Sequence, residues 1–209
     1  MHTPERTEER DAAIEAMLPS VPFDGWTTRA LRAGLISVGA APDDAGMLFP
    51  GGGADMVEAF CDLADRRMQQ DVAATDVSEQ RLPERVRTAI ALRLARSRPH
   101  KEAVRRALSV LALPGNARLA AAVTARTVDA IWHAAGDRSA DFSWYTKRAI
   151  LTGVYGTTLL YWLRDSSDDD AATLAFLDRR LRSVAGIGRI RRRAEGLVGC
   201  FIPPMRRAA

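Results

Sequence analysis

The sequence predicts an all-α protein, and three observations carry that prediction. Ala, Leu and Arg dominate its 209 residues. Val, Ile and Thr are not gathered into the alternating runs that a half-buried strand needs. Apolar residues instead recur at three- and four-residue spacing between Pro and Gly breakers. About nine core helices and a basic, amphipathic C-terminal segment result. The organisation expected is a head at 1–75, a larger helical domain at 76–185 and a tail at 186–209.

The elements follow in order. A first helix is expected from Pro4 to Met17, with Ile14, Met17 and Leu18 on one side, ended by Pro19 and Pro22. Phe23-Asp24-Gly25-Trp26 forms a turn. Thr27 caps a second helix to about Val38, and Gly39 stops it. A short third helix carries Pro42 in its first turn, with Asp43 and Asp44 at its positive end. After the breaker Phe49-Pro50-Gly51-Gly52-Gly53, a fourth helix runs from about Ala54 to Gln70. On it Glu58, Asp62, Asp65 and Arg66 read as a solvated charged stripe.

Beyond a joint near Thr75–Gln80, helices are expected over Pro83–Arg96, Pro99–Leu113 and Ala117–Ala135, the last stopped by Gly136. Arg81, Arg85, Arg87, Arg93, Arg96 and Arg98 read as a solvated arginine face. Trp132 and His133 read as a packed aromatic beside a surface histidine. Asp141 to Asp165 is the stretch around which the chain is organised. It is apolar on every side between Ala149 and Leu163, which predicts a helix buried all round. Its apolar run is too short to cross a bilayer. Thr152, Gly153, Gly156 and Thr157 leave gaps that suit either close helix packing or a guest. Ser167 with Asp170 fits a capping-box spacing before a ninth helix over Ala171–Val184.

The formal net charge is +4, and nearly all cations are Arg, with Lys101 and Lys147 the lysines. From Arg179 to the end, nine arginines face one acid, Glu195. Arg191, Arg192 and Arg193 alternate there with Leu197, Val198, Phe201 and Ile202. That pattern suits an anionic membrane surface, with nonspecific nucleic-acid binding and a plain tail as competing readings. Cys61 and Cys200 stand apart, which fits a reducing compartment and no disulfide or zinc frame. The charged N-terminus has no apolar leader run, so a cytoplasmic location is expected, peripheral on the inner face of the membrane. His2, His100 and His133 are scattered. No P-loop, dinucleotide or nucleophile-elbow motif occurs, so no catalytic residue, metal or cofactor is expected and the chain reads as a binder, not an enzyme.

The opening layout resembles the helix-turn-helix head of tetracycline-repressor-type proteins. A DNA-reading version needs donors on its second helix, and the segment Ala41–Leu48 offers two acids and no Lys or Arg. A ligand-responsive transcriptional regulator is therefore the alternative, and no nucleic-acid partner is expected.

Several segments together resemble the coenzyme Q (ubiquinone) biosynthesis accessory lipid-binding proteins, which have that repressor-like fold. They are Val21–Thr27, Phe49–Gly52, Asp129–Asp137, the Asp-x-x-Trp-Tyr-Thr-x-Arg run at 141–148, Tyr155, Asp165–Ser167 and Thr173–Arg180. The resemblance implies a homodimer, a hydrophobic cavity for an isoprenoid or quinone-like lipid, and a membrane-engaging C-terminal helix. It implies presentation of quinone intermediates to the pathway's di-iron hydroxylase, which docks on Asp141, Trp144, Tyr145 and Arg148. By position on the central helix, Tyr155, Thr158, Leu159 and Trp162 are the candidate pocket residues.

Overall fold

A computed structural model describes residues 5–137 and 143–184, with the side chains of Ser143 and Trp144 outside the description. Every regular element among the described residues is helical. The head holds α1 (Glu8–Met17), a single turn α2 (Val21–Asp24), α3 (Thr28–Ser37) and a second single turn α4 (Ala45–Leu48). A long α5 (Gly52–Ala74) leads to α6 (Leu82–Ser97), α7 (Lys101–Leu111), α8 (Ala117–Ala134) and α9 (Ser143–Trp162). Residues 171–184 form α10.

Local chemistry sets most of the boundaries. The Thr27 hydroxyl accepts from the Ala30 amide and opens α3 as expected. Gly39 and Gly136 take the left-handed backbone at the ends of α3 and α8. The first helix starts later than Pro4, because the Thr7 hydroxyl caps it by accepting from the Arg10 amide. The capping box at Ser167 and Asp170 does not form. Ser167 accepts from the Ala172 amide, but Asp170 turns away to Arg98, and Asp165 caps Thr173 instead.

Two apolar cores share α5. Its first half sends Met56, Val57 and Leu63 into a head core with Ile14, Met17, Trp26, Leu31 and Phe49. Its second half sends Met68 and Val72 into a body core with Ile90, Val128, Ile131, Tyr155, Trp162 and Leu177. The head is closed by backbone contacts. A Cβ on Gly34 would lie 2.6 Å from the Met17 nitrogen, and one on Gly53 would lie 2.4 Å from the Trp26 oxygen. Only glycine lets these chains approach so closely. Arg10 is buried, donates to the Leu48 carbonyl and pairs with Asp55 at 2.6 Å, so it ties α4 to the rest of the head.

Three further expectations fail. The central helix is not buried all round: Ile150 is 40% exposed and Leu160 59%, and a Cβ on Gly153 or Gly156 would meet nothing. Its inner face packs on α6 and α8, and its outer face is open at Gly153 and Gly156, while α10 reaches it at Tyr161 through Phe176. The arginines of α6 are not one solvated face. Arg93 is buried on Asp65, while Arg96 reaches Asp71. Nor are Asp62 and Asp65 solvated; both are buried, since long-range arginine partners pay for their desolvation.

Candidate docking and lipid-binding site

The start of α9 lies against the C-terminal half of α8. Tyr145 is 72% exposed. Arg148, three residues on, turns back to the Asp129 carboxylate of α8. Lys147 reaches Asp137 at 3.3 Å and lies 5.8 Å from the centre of the Trp132 ring. Trp132 is half-buried and His133 exposed, as expected from the sequence. Asp141 and the side chain of Trp144 lie outside the described residues. The same holds for the tail residues Arg191, Arg192, Arg193, Leu197, Val198, Phe201 and Ile202. Of the expected docking residues, then, Tyr145 and Arg148 are placed about one turn apart on α9, the first exposed and the second half-buried.

Sequence reasoning missed the anchors of this surface, Asp129 and Asp137. Both sit in the quoted run 129–137, but their partners lie 19 and 10 residues away, and no spacing rule connects them. Arg148 also borders a polar cleft of about 380 Å³ between α5 and α8, lined by Arg6, Asp62, Arg66, Arg126 and Asp129. Its arginines are paired: Arg6 and Arg66 with Asp62, Arg126 with Glu58. The cleft therefore carries mixed charge and no net anion-binding character.

Tyr155, Thr158 and Trp162 fall on one face of α9 and point into the body, where all three are buried; Leu159 beside them is half-buried. The Thr158 hydroxyl donates to the Val154 carbonyl at 2.7 Å. Beneath Tyr155 lies a buried polar group that the sequence did not reveal. Arg93 donates to Asp65 at 2.8 Å, the Thr127 hydroxyl donates to the same carboxylate at 2.8 Å, and the guanidinium lies 5.4 Å from the Tyr155 ring centre. Burial pushes the Asp65 carboxyl up, against the pull of Arg93 and Thr127. Burial works against the Arg93 charge too, but the Asp65 carboxylate that accepts its hydrogen bond outweighs this and moves the guanidinium up. The guanidinium keeps its proton and at this distance holds Asp65 as a carboxylate. Burial also pushes Tyr155 and the Cys61 thiol up, each to about 12, so both stay neutral and Cys61 is unreactive.

At the far end of α9 an apolar groove of about 490 Å³ runs between α9 and α10, lined by Thr157, Leu160, Tyr161, Leu163 and Phe176. Tyr161 and Phe176 stack at 4.6 Å. Among the described residues no group of three His, Cys, Asp or Glu side chains is placed to hold a metal, and no single helix is long and apolar enough to cross a membrane.

The fold is that of the tetracycline-repressor class. The crystal structure of the TetR transcriptional regulator from Nitrosomonas europaea ATCC 19718 matches it with a TM-score of 0.69 at 21% identity, covering 86% of this chain and 99% of that one. The COQ9 family model matches residues 117–188, which hold α8, α9 and α10. The ubiquinone biosynthesis protein COQ9, mitochondrial, of Rattus norvegicus is 36% identical over 182 residues, 84% of this chain. The Homo sapiens protein of that name is 35% identical over the same share. The probable ubiquinone biosynthesis protein coq9, mitochondrial, of Dictyostelium discoideum is 29% identical over 89% of this chain. The chain belongs to the COQ9 family. It spans 58% of the length of the rat protein and 57% of the human one.

Proposed function

We propose that this chain serves ubiquinone biosynthesis as a non-catalytic accessory protein. In this reading it binds an isoprenoid, quinone-like lipid at a membrane surface and presents it to the pathway's di-iron hydroxylase. The observation that carries the reading is the family match over residues 117–188, the stretch that contains Tyr145, Arg148 and the inward face of α9. An exposed Tyr beside Arg and Lys is the composition of an interface hot spot. The Asp129 and Asp137 pairs hold those cations in place without covering Tyr145. Tyr155, Thr158, Leu159 and Trp162 supply the wall for the lipid, and the basic tail supplies attraction to the membrane. The exposed strip of α9 at Ile150, Gly153 and Leu160 supports a homodimer, since small residues let two helices approach closely. The curated relatives are named as mitochondrial, and a peripheral place on a quinone-bearing membrane is the corresponding position for this chain.

The regulator alternative has the fold in its favour and the chemistry of the segment 42–48, the turn before α4 and α4 itself, against it. Residues 42–48 present Asp43 and Asp44 and no cation, where DNA phosphates need donors. The docking reading is tested by co-purification of the tagged hydroxylase with wild type and with Tyr145→Glu. Loss of the complex with an unchanged melting curve is expected; retention would remove Tyr145 from the docking surface.

A further inference from the structure

α10 is held to the body in an unusual way. It is reached through Asp169 and Asp170, which both adopt the left-handed backbone, with φ of 52° and 56°. Residues other than glycine seldom do this, and seldom twice in succession. Arginines hold the two in place. Arg98 Nε donates to Asp170 at 2.9 Å and its Nη1 to Asp169 at 2.8 Å, while Arg87 of α6 donates to Asp178 of α10 at 2.5 Å. The apolar hold is slight by comparison. Leu177 is fully buried, and Leu174, Phe176 and Leu181 are only half-buried. Partly exposed ion pairs contribute little, so beyond Leu177 the hold on α10 rests on these pairs and on the Asp165 carboxylate, which accepts from the Thr173 amide and hydroxyl at 2.7 and 2.6 Å.

Beneath this attachment lies Trp162. It is 0% exposed, yet its indole N–H has no hydrogen-bond partner among the described residues. Buried donors are nearly always paired, and an unpaired one asks for an explanation. Lys101 of α7 links this residue to the attachment. Lys101 Nζ lies 4.8 Å from the Trp162 ring centre, donates to the Asp165 carbonyl at 2.6 Å and stands 3.8 Å from the Asp170 carboxylate. Leu177 of α10 belongs to the same apolar cluster as Trp162, Tyr155 and Val154. Leu177 and Trp162 thus belong to one apolar wall, and the indole N–H is an unpaired donor set in it.

We propose that α10 is a movable cover over Trp162, and that the indole N–H anchors a carbonyl or hydroxyl oxygen of an apolar guest admitted when the cover lifts. This rests on the lipid-binding reading above and adds to it the route of entry and the polar contact. The guest is mostly hydrocarbon and carries an oxygen acceptor; Lys101 beside the ring disfavours a cationic head.

The test uses the full chain and two probes of equal tail, pentyl-para-benzoquinone and pentylbenzene, in equilibrium dialysis. Trp162→Phe keeps an aromatic six-membered ring and removes the donor with the rest of the indole, so pentylbenzene serves as the control for the lost volume. The quinone should then bind about tenfold more weakly, as expected for one lost hydrogen bond, with pentylbenzene unchanged. Equal changes for both probes, or no change for the quinone, would overturn the anchor while leaving lipid binding standing. Failure of both probes to bind wild type would remove the lipid-binding reading and the anchor together. Arg98→Gln leaves the core intact and tests the cover alone. Amide exchange across 171–184 should rise about tenfold while α1, α3 and α5 keep their wild-type protection. Exchange that stays at the wild-type level would show that α10 is fixed.

Discussion

The head and the body of this protein are held together by different means. In the head, α1 crosses α3 at Gly34 and α5 meets the Trp26 backbone at Gly53, so main chain rests on main chain. Its core residues are apolar, and its buried cation, Arg10, serves as a tie to α4. The body core instead contains an ion pair, Asp65–Arg93, a neutral tyrosine above it, and an unpaired indole N–H farther along α9. Its last described helix is secured by arginines. A unit closed by backbone contact has little freedom to open, whereas polar groups and straps in a core are where movement and ligand exchange are found. The head thus keeps a repressor-like shape without a cationic reading helix, and the features that suit binding are gathered in α8, α9 and α10.

Breaking the body's ion pair should have the largest effect. Asp65→Ala leaves Arg93 charged, buried and unpaired, and should cost about 3–5 kcal/mol in chemical denaturation. A loss under 1 kcal/mol would mean that Arg93 finds water or another partner. Gly53→Ala should cost about 2–3 kcal/mol, because the added methyl would overlap the Trp26 carbonyl. If the head tolerated it, the backbone contact would not be what closes that core.

Much of this contrast was legible in the sequence, and the rest was not, for definite reasons. Thr27, Gly39 and Gly136 mark helix ends because their chemistry acts within a few residues, and all three do what their positions predict. The inward set Val86, Ile90 and Leu94 follows from helical spacing and is buried. Arg93 and Asp65 could not be read as a pair, since 28 residues separate them and only the packing of α5 against α6 brings them together. α9 was misread because an apolar composition says how much surface can be buried, not whether a neighbour is there to bury it. The same limit applies to Tyr145 and Arg148. The run that contains them pointed to a site, but their anchoring by Asp129 and Asp137 needed the fold.

Smaller effects sharpen the comparison. The Asp165 carboxyl joins α9 to α10. Burial pushes it up, but hydrogen bonds from Thr173 and Ser167 outweigh that and hold it well below the usual carboxylate range. A depressed carboxyl contributes stability that is complete above its unfolded value of 3.8 and fades as pH falls below it. Amide protection in 171–184, taken relative to the intrinsic exchange rate at each pH, should therefore fall on acidification below about pH 4 before the head loosens. Simultaneous loss in both regions would argue that Asp165 does not hold α10. Tyr145→Glu should be smallest in stability, within about 0.5 kcal/mol, because the ring is exposed. A larger loss would make Tyr145 a packing residue and weaken its place in docking.

The most direct test of lipid binding by the body is organic extraction of the purified 209-residue chain, followed by mass spectrometry of what comes with it. An isoprenoid quinone or precursor at near-stoichiometric amount, reduced in Trp162→Phe, is the result the proposed function predicts. Protein free of any such lipid, after purification from several hosts and detergents, would contradict it and leave α8 and α9 as a protein-docking surface alone.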